Sequence, residues 1–210
     1  MLRYFHFLNL LPFPQHSSLL LLRYLYTMKF TRNDELGRPD VKAYKKIDKI
    51  PVVVILDDVR SGLNVGSVFR TSDSFLISKI FLCGITSKPP ERDILKSALG
   101  ATESVEWEYR QSVLEIVQEL KKEGYQIYAV EQSNNSIAPQ DAPVSGASRF
   151  ALIFGNEVKG VSTHLLPEIH GCIEIPQSGT KHSLNVSVCA GIVLWEFYRH
   201  FRLTMSGEQK

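Results

Sequence analysis

Five short runs rich in apolar and β-branched residues alternate with stretches of helical periodicity. No other feature of the chain constrains its fold as strongly. The runs are PVVVIL (51–56), KIFLCGI (79–85), YQIYAVEQ (125–132), FALIF (150–154) and GCIEIP (171–176). The first is continuously apolar and ends in Asp57 and Asp58, as a parallel strand buried on both faces should. Between the runs, residues 64–76 place Val65, Val68, Phe69 and Leu76 at helical spacing. Residues 91–100 read as a short helix ended by Gly100. Residues 112–124 form an amphipathic helix with Val113, Ile116, Val117 and Leu120 on one face and Gly124 closing it. Residues 133–148 read as a polar loop, and 183–201 as a long apolar helix opened by Ser183. Strands alternating with helices predict one α/β domain over 51–201, a mostly parallel sheet with helices on both faces.

The chain of 210 residues has 44% apolar and 22% charged residues, which excludes a disordered or disulfide-stapled molecule. A net charge of +2 excludes a uniformly basic coat but leaves room for a local basic patch. Such a patch is offered within residues 28–50, read as a basic arm, where Arg38, Lys42, Lys45, Lys46 and Lys49 fall within twelve positions against only Asp40 and Asp48. Cys83, Cys172 and Cys189 are far apart and form no CxxC, so neither a zinc site nor a redox motif is expected. A reduced, cytoplasmic protein is the simplest expectation. Residues 1–27 carry no acid, and their apolar stretches are broken by Pro12, Pro14 and Gln15 to Ser18. They fall short of the roughly 18 residues of a membrane span. We read them as an extension ahead of a natural start at Met28, or else a targeting presequence. Residues 202–210 read as a tail.

Three nucleotide or hydrolase motifs fail. Gly62 to Gly66 has the wrong spacing for a dinucleotide-binding turn, Gly155 to Gly160 misplaces the lysine of a P-loop, and no GxSxG is present. What remains is three polar clusters, each at the carboxyl end of a predicted strand, where open α/β sheets bind ligands. They are Asn64-Val-Gly-Ser-Val-Phe-Arg70-Thr71, Gly155-Asn-Glu157-Val-Lys-Gly160, and Ile175-Pro176-Gln-Ser-Gly-Thr-Lys-His182-Ser183-Leu184-Asn185-Val-Ser187.

In order and spacing, NxGxxxRT, FGNExxG and IPxxGxxxSLNVS resemble the three motifs of the SpoU family of RNA 2′-O-ribose methyltransferases, in the SPOUT superfamily. The resemblance runs from about Pro51 to Phe197. It implies a parallel α/β fold whose C-terminal part forms a trefoil knot, S-adenosylmethionine as cofactor, tRNA or rRNA as partner, and a homodimer. Two departures stand out. Gln177 replaces a frequent Met near the expected adenine pocket, and the stretch before the first strand is too short for the RNA-binding domain of longer members.

The resemblance makes Arg70 the catalytic arginine, near the RNA phosphate and the ribose 2′-hydroxyl. Arginine is a poor base because it stays protonated, and its fork suits phosphate, so base and electrostatic activator both stay open. Asn64 is either a helix N-cap or an orienting group, and the two are compatible. Glu157 is either a solvated turn carboxylate or part of the active site. Ser183 and Asn185 open the last helix as caps and, by resemblance, stand beside cofactor and substrate. The implied cofactor cup comprises Val130, Glu131, Gln132, Gly155, Ile175, Pro176, Ser183 and Leu184, with Ile175 and Leu184 sandwiching the adenine. No metal is expected. The last helix is apolar on several faces, through Val186, Val188, Cys189, Ile192, Val193, Leu194, Trp195, Phe197 and Tyr198, and calls for a second copy of the chain on the face turned away from the sheet. Two other readings are a base-methylating SPOUT enzyme and an RNA-binding assembly factor that has lost activity. Asn64, Arg70, Glu157, Ser183 and Asn185 occurring together argue against that loss.

Overall fold

The computed structural model describes residues 29–145 and 148–204. The N-terminal segment 1–27 and the end of the C-terminal tail lie outside them. The chain divides into two units, Met1–Pro39 and Asp40–Lys210. In the first, the described part holds one 3-10 turn, Asn33–Glu35, and an exposed ion pair between Arg32 and Asp34 at 3.3 Å.

The second unit begins with helix α1 (Val41–Lys46), capped by Asp40, whose side chain accepts from the amide of Ala43. The stretch read as a basic arm is therefore not uniform. Tyr44 is buried, and its hydroxyl donates to the carbonyl of Asp73 at 3.1 Å. Strand β1 (Ile50–Asp57) follows, then α2 (Gly62–Ser74) and β2 (Ile77–Cys83). The short helices α3 (Arg92–Ala98) and α4 (Ala101–Ser104) come next. Leu99 and Gly100, both with positive φ, separate them, so the first ends where the helix expected over 91–100 should, and the second is a further turn. After β3 (Trp107–Arg110) come α5 (Val113–Lys122), β4 (Tyr125–Val130), β5 (Ser136–Ile137), β6 (Arg149–Phe154), β7 (Gly171–Ile173) and α6 (Val186–Tyr198). A π-helical turn, Arg199–Thr204, continues α6.

All strand pairings are parallel, in the order β3-β2-β1-β6-β4-β7-β5. The strand β1 shows why. Its even-numbered residues, Val52, Val54 and Leu56, face α2 and α6 through Val65, Phe69, Val193 and Phe197. Its odd-numbered residues, Val53 and Ile55, face α5 through Ile116, Val117 and Leu120. A two-residue side-chain period buries both faces only when both are covered by helices.

The sheet has two strands that periodicity does not mark. Strand β3 is WEYR, polar and half-buried, paired on one side only. Strand β5 is two residues within the expected polar loop. The expected strand 171–176 stops at Ile173, leaving Ile175 and Pro176 to the loop that follows.

Candidate active site

Three loops meet at the carboxyl ends of β1, β6 and β7. After β1, Asp58 takes a left-handed conformation at φ 57°. Its side chain accepts from the amide of Ile85 at 2.9 Å, and its carbonyl from Asn156 Nδ2 at 2.7 Å. Ser61, not Asn64, caps α2, accepting from the Asn64 amide at 3.3 Å. Asn64 thus lies in the first turn with its side-chain amide available for other partners.

After β6 the chain folds back on itself. The amide of Asn156 donates to the carbonyl of Gly160 at 3.0 Å, and Gly160 returns the bond at 2.9 Å. Asn156 Oδ1 accepts from the amides of Val158 and Lys159. Gly155 is required here, because a Cβ on it would collide with the backbone of Gly160 and Val161. Two carboxylates on neighbouring strand ends fasten the far side of the loop. Glu131 Oε2 accepts from the amide of Val161 at 3.2 Å, and the buried Asp57 accepts from Ser162 at 2.9 Å.

This loop presents Glu157. Its carboxylate accepts from the amides of Arg60 at 3.2 Å and Ser61 at 3.1 Å, ahead of α2, and from Asn64 Nδ2 at 3.1 Å. Partial burial works to raise its pKa. Hydrogen bonds from its own amide, from Arg60 and Ser61, and from Asn64 outweigh that and hold it below the ordinary carboxylate value. Asn64 Oδ1 in turn accepts from Asn185 Nδ2 at 3.1 Å. Asn185, not Ser183, caps α6, its Oδ1 accepting from the amides of Ser187 at 2.9 Å and Val188 at 3.4 Å. One polar chain therefore runs from the start of α6 to the start of α2, through one residue of each sequence cluster: Asn185, Asn64 and Glu157.

Beside this chain lies a cavity of about 410 Å³. Val130, Glu131, Gln132, Gly155, Ile175, Ser183 and Leu184 line it, together with Glu157 and Asn185. Pro176 does not line it, although its neighbours Ile175 and Gln177 do. Asn64 reaches the site only through Glu157 and Asn185. Arg70 is not brought to the cavity. It is exposed, on a stripe of α2 with Leu63, Ser67 and Ser74.

Gln177, expected near the adenine pocket, lines the cavity, whereas sequence reasoning did not place Asn156, Val158, Glu174, His182 and Cys189 there. It also missed the fastening role of Asp57. Asn156, Val158 and His182 sit inside the motif clusters, so their proximity was the available signal. Gln132 Nε2 donates to the carbonyl of His182 at 2.6 Å, tying two of the lining loops together. Burial, with the Glu131 carboxylate nearby, pushes the Cys189 thiol up to about 11, so it stays protonated and acts as cavity wall. Among the described residues, no group of three or more His, Cys, Asp or Glu could hold a metal ion, and no helix is long and apolar enough to cross a membrane.

The model of the SpoU rRNA Methylase family matches residues 51–195, from the first sheet strand to near the end of α6. A tRNA/rRNA methyltransferase of Borreliella burgdorferi, itself uncharacterized, is 30% identical over 154 residues, covering 72% of this chain and 65% of its own. The chain thus spans just under two thirds of that relative's length. The AdoMet-bound rRNA methyltransferase from Sinorhizobium meliloti superposes with a TM-score of 0.66 at 26% identity, over 75% of this chain and 60% of that one. The A. aeolicus TrmH/SpoU tRNA modifying enzyme superposes with a TM-score of 0.69 at 27% identity, over 79% and 84%. With the family model matching most of the chain, and two of the three clusters meeting at one cavity of an all-parallel sheet, this chain is a member of the SpoU methylase family.

Proposed function

We propose that the chain is an S-adenosylmethionine-dependent RNA 2′-O-ribose methyltransferase acting on tRNA or rRNA in the cytoplasm. The observation that carries the reading is the hydrogen-bonded chain Asn185–Asn64–Glu157 at the edge of the 410 Å³ cavity. That volume lies in the range of about 300–1,000 Å³ usual for small-ligand sites. The lining suits the cofactor: apolar Ile175 and Leu184 for a flat base, and loop backbone brought close by Gly155 and Gly160 for polar groups. When bound against Ile175, Leu184 and the 155–160 loop, S-adenosylmethionine would supply an electrophilic sulfonium methyl group for a ribose oxygen, with the hydroxyl proton leaving to solvent.

The chain's own residues divide the remaining work. Glu157 is held ionised, and backbone and Asn64 donors occupy its oxygens, so it fixes the loop rather than taking the ribose proton. Asn64 and Asn185 lock the starts of α2 and α6 to that loop. Arg70, permanently charged and exposed, meets RNA from outside the cavity and acts as electrostatic activator of the hydroxyl and binder of its phosphate.

The same reading includes a homodimer through α6. Val188, Ile192 and Trp195 recur at helical spacing and are 50%, 41% and 44% exposed, whereas Ala190, Val193, Leu194 and Phe197 are buried. A C-terminal trefoil knot also belongs to it, supported by the insertion of β7 between the earlier strands β4 and β5. Calorimetry tests the cofactor assignment. S-adenosylmethionine should bind the purified chain without RNA, and no heat at high-micromolar cofactor would favour the inactive assembly factor.

A further inference from the structure

A second cavity, of about 490 Å³, opens at the opposite end of the sheet. Its lining includes Lys45 and Lys49 from the α1 region, Thr102 and Glu103 from α4, and Glu106 and Trp107 at the start of β3. We propose that this cavity holds an unstacked nucleotide of the RNA substrate, with the base against Trp107 and its phosphate on Lys45 and Lys49. The inference rests on the RNA methyltransferase reading.

Its parts match what single-stranded RNA needs. Sequence-tolerant binding combines an aromatic side chain for the base with cations for the backbone. Trp107 is half-buried and set edge-on to Phe69, ring centroids 6.3 Å apart, so its plane is fixed by packing. Lys49 is fixed as well. Its ammonium lies 4.0 Å from the centre of the Tyr44 ring and donates to the carbonyls of Tyr44 at 2.6 Å and Ile47 at 2.7 Å. Burial lowers its pKa, and the neighbouring Arg202 adds to that, while Asp73 and Asp48 oppose it. Arg202 itself donates to the carbonyl of Asp48, which brings the end of the π-helical turn to the same place. Lys42, Lys45 and Lys46 are exposed on α1 and extend the positive surface. Of the two carboxylates on the rim, Glu106 is paired with Lys79 at 3.4 Å, and Glu103 can accept from a base amino group.

The placement bears on the substrate. Lys49 precedes the amino end of β1, whereas the cofactor cavity opens beyond the carboxyl ends of the strands. Eight residues of β1 separate the two ends by about 23 Å. One nucleotide cannot reach both. The substrate must therefore present its target ribose and a second, unstacked nucleotide at points about that far apart.

The test uses the full chain, bulk cellular tRNA and rRNA, and two variants, Lys45→Glu and Trp107→Leu. Lys45 is exposed, so its variant leaves the fold intact, and thermal melting checks Trp107→Leu. We expect each variant to weaken RNA binding by about tenfold or more in filter binding and to raise the KM for RNA. Affinity for S-adenosylmethionine should stay within about twofold. Wild-type protein photocrosslinked to 4-thiouridine RNA should carry label on the peptide containing Trp107. If wild type binds and methylates RNA while both variants match it within twofold, the second site is wrong and the enzymatic reading stands. If wild type neither binds nor methylates RNA, both fall together.

Discussion

Glu157 is held in place by three donors from the segment that opens α2, which sets what its replacement must do. In Glu157→Gln one of the amides of Arg60 and Ser61 faces an NH2 group instead of an acceptor. The loop then loses its anchor to α2. We expect kcat to fall by about tenfold or more, a barrier increase of roughly 1.4 kcal/mol, with a lower melting temperature. The pH dependence has a definite sign. The folded-state pKa of Glu157 lies below its ordinary value of 4.5, so the folded chain binds this proton less tightly than the unfolded chain. The resulting stability is complete above 4.5 and is lost as pH falls through the lower folded value. The melting difference between wild type and Glu157→Gln should therefore be present at neutral pH and shrink in acid. A difference that grew in acid would contradict this assignment. Arg70 gives a cleaner separation, because it is exposed and does not line the cavity. Arg70→Ala should abolish methyl transfer yet leave cofactor affinity nearly unchanged by calorimetry. Activity within about threefold of wild type would remove Arg70 from the mechanism.

At the scale of elements, the loop from Gly155 to Ser162 is the part of the fold on which the site depends. Its closure requires the backbone of Gly155 to lie against that of Gly160. Gly155→Ala should open the loop and weaken cofactor binding by at least an order of magnitude, measured by calorimetry. Gly66→Ala is a useful contrast. Its Cβ would meet Ser97 Oγ and the carbonyl of Ile94 where α2 crosses α3, so it should cost about 1–3 kcal/mol of stability as overpacking, seen in denaturant unfolding. The central strands and α5 were legible because burial on both faces, or on one stripe, writes itself into apolar spacing. Strands β3 and β5 were not, because WEYR and Ser136–Ile137 owe their conformation to one parallel neighbour rather than to their own pattern. The caps show a similar limit. Ser61 and Asn185 cap α2 and α6, while the sequence offered Asn64 and Ser183 as equally good candidates a few residues away. The second and third clusters fall on loops that line the cavity, and the first does not. The bond from Asn185 to Asn64, between residues 121 apart in sequence, depends on strand order, which no local pattern carries.

Across the whole molecule, helices α2 and α6 pack together, with Phe75 at the end of α2 against Trp195 and Tyr198 at centroid distances of 5.6 and 5.4 Å. Both helices still present exposed stripes, Leu63–Ser67–Arg70–Ser74 on one and Val188–Ile192–Trp195 on the other. A second copy covering the α6 stripe would sediment as a dimer at micromolar concentration, and Ile192→Asp should shift it to monomer. An active monomer of 23.8 kDa would overturn the dimer. RNA affinity should fall steeply with added salt, since Arg70 and the lysines of α1 act on phosphates. The central claim is transfer of a methyl group to ribose rather than to a base, and the chemistry of RNA hydrolysis reads it directly. Bulk RNA is incubated with the protein and methyl-labelled S-adenosylmethionine, then digested with alkali. Alkaline cleavage needs a 2′-hydroxyl, so a 2′-O-methylated nucleotide survives in an alkali-resistant dinucleotide. The account predicts label in dinucleotides with wild type and none with Asn185→Ala. Label in mononucleotides would mean base methylation, and absence of label from RNA that the protein binds would mean an inactive RNA-binding factor; either result contradicts the account.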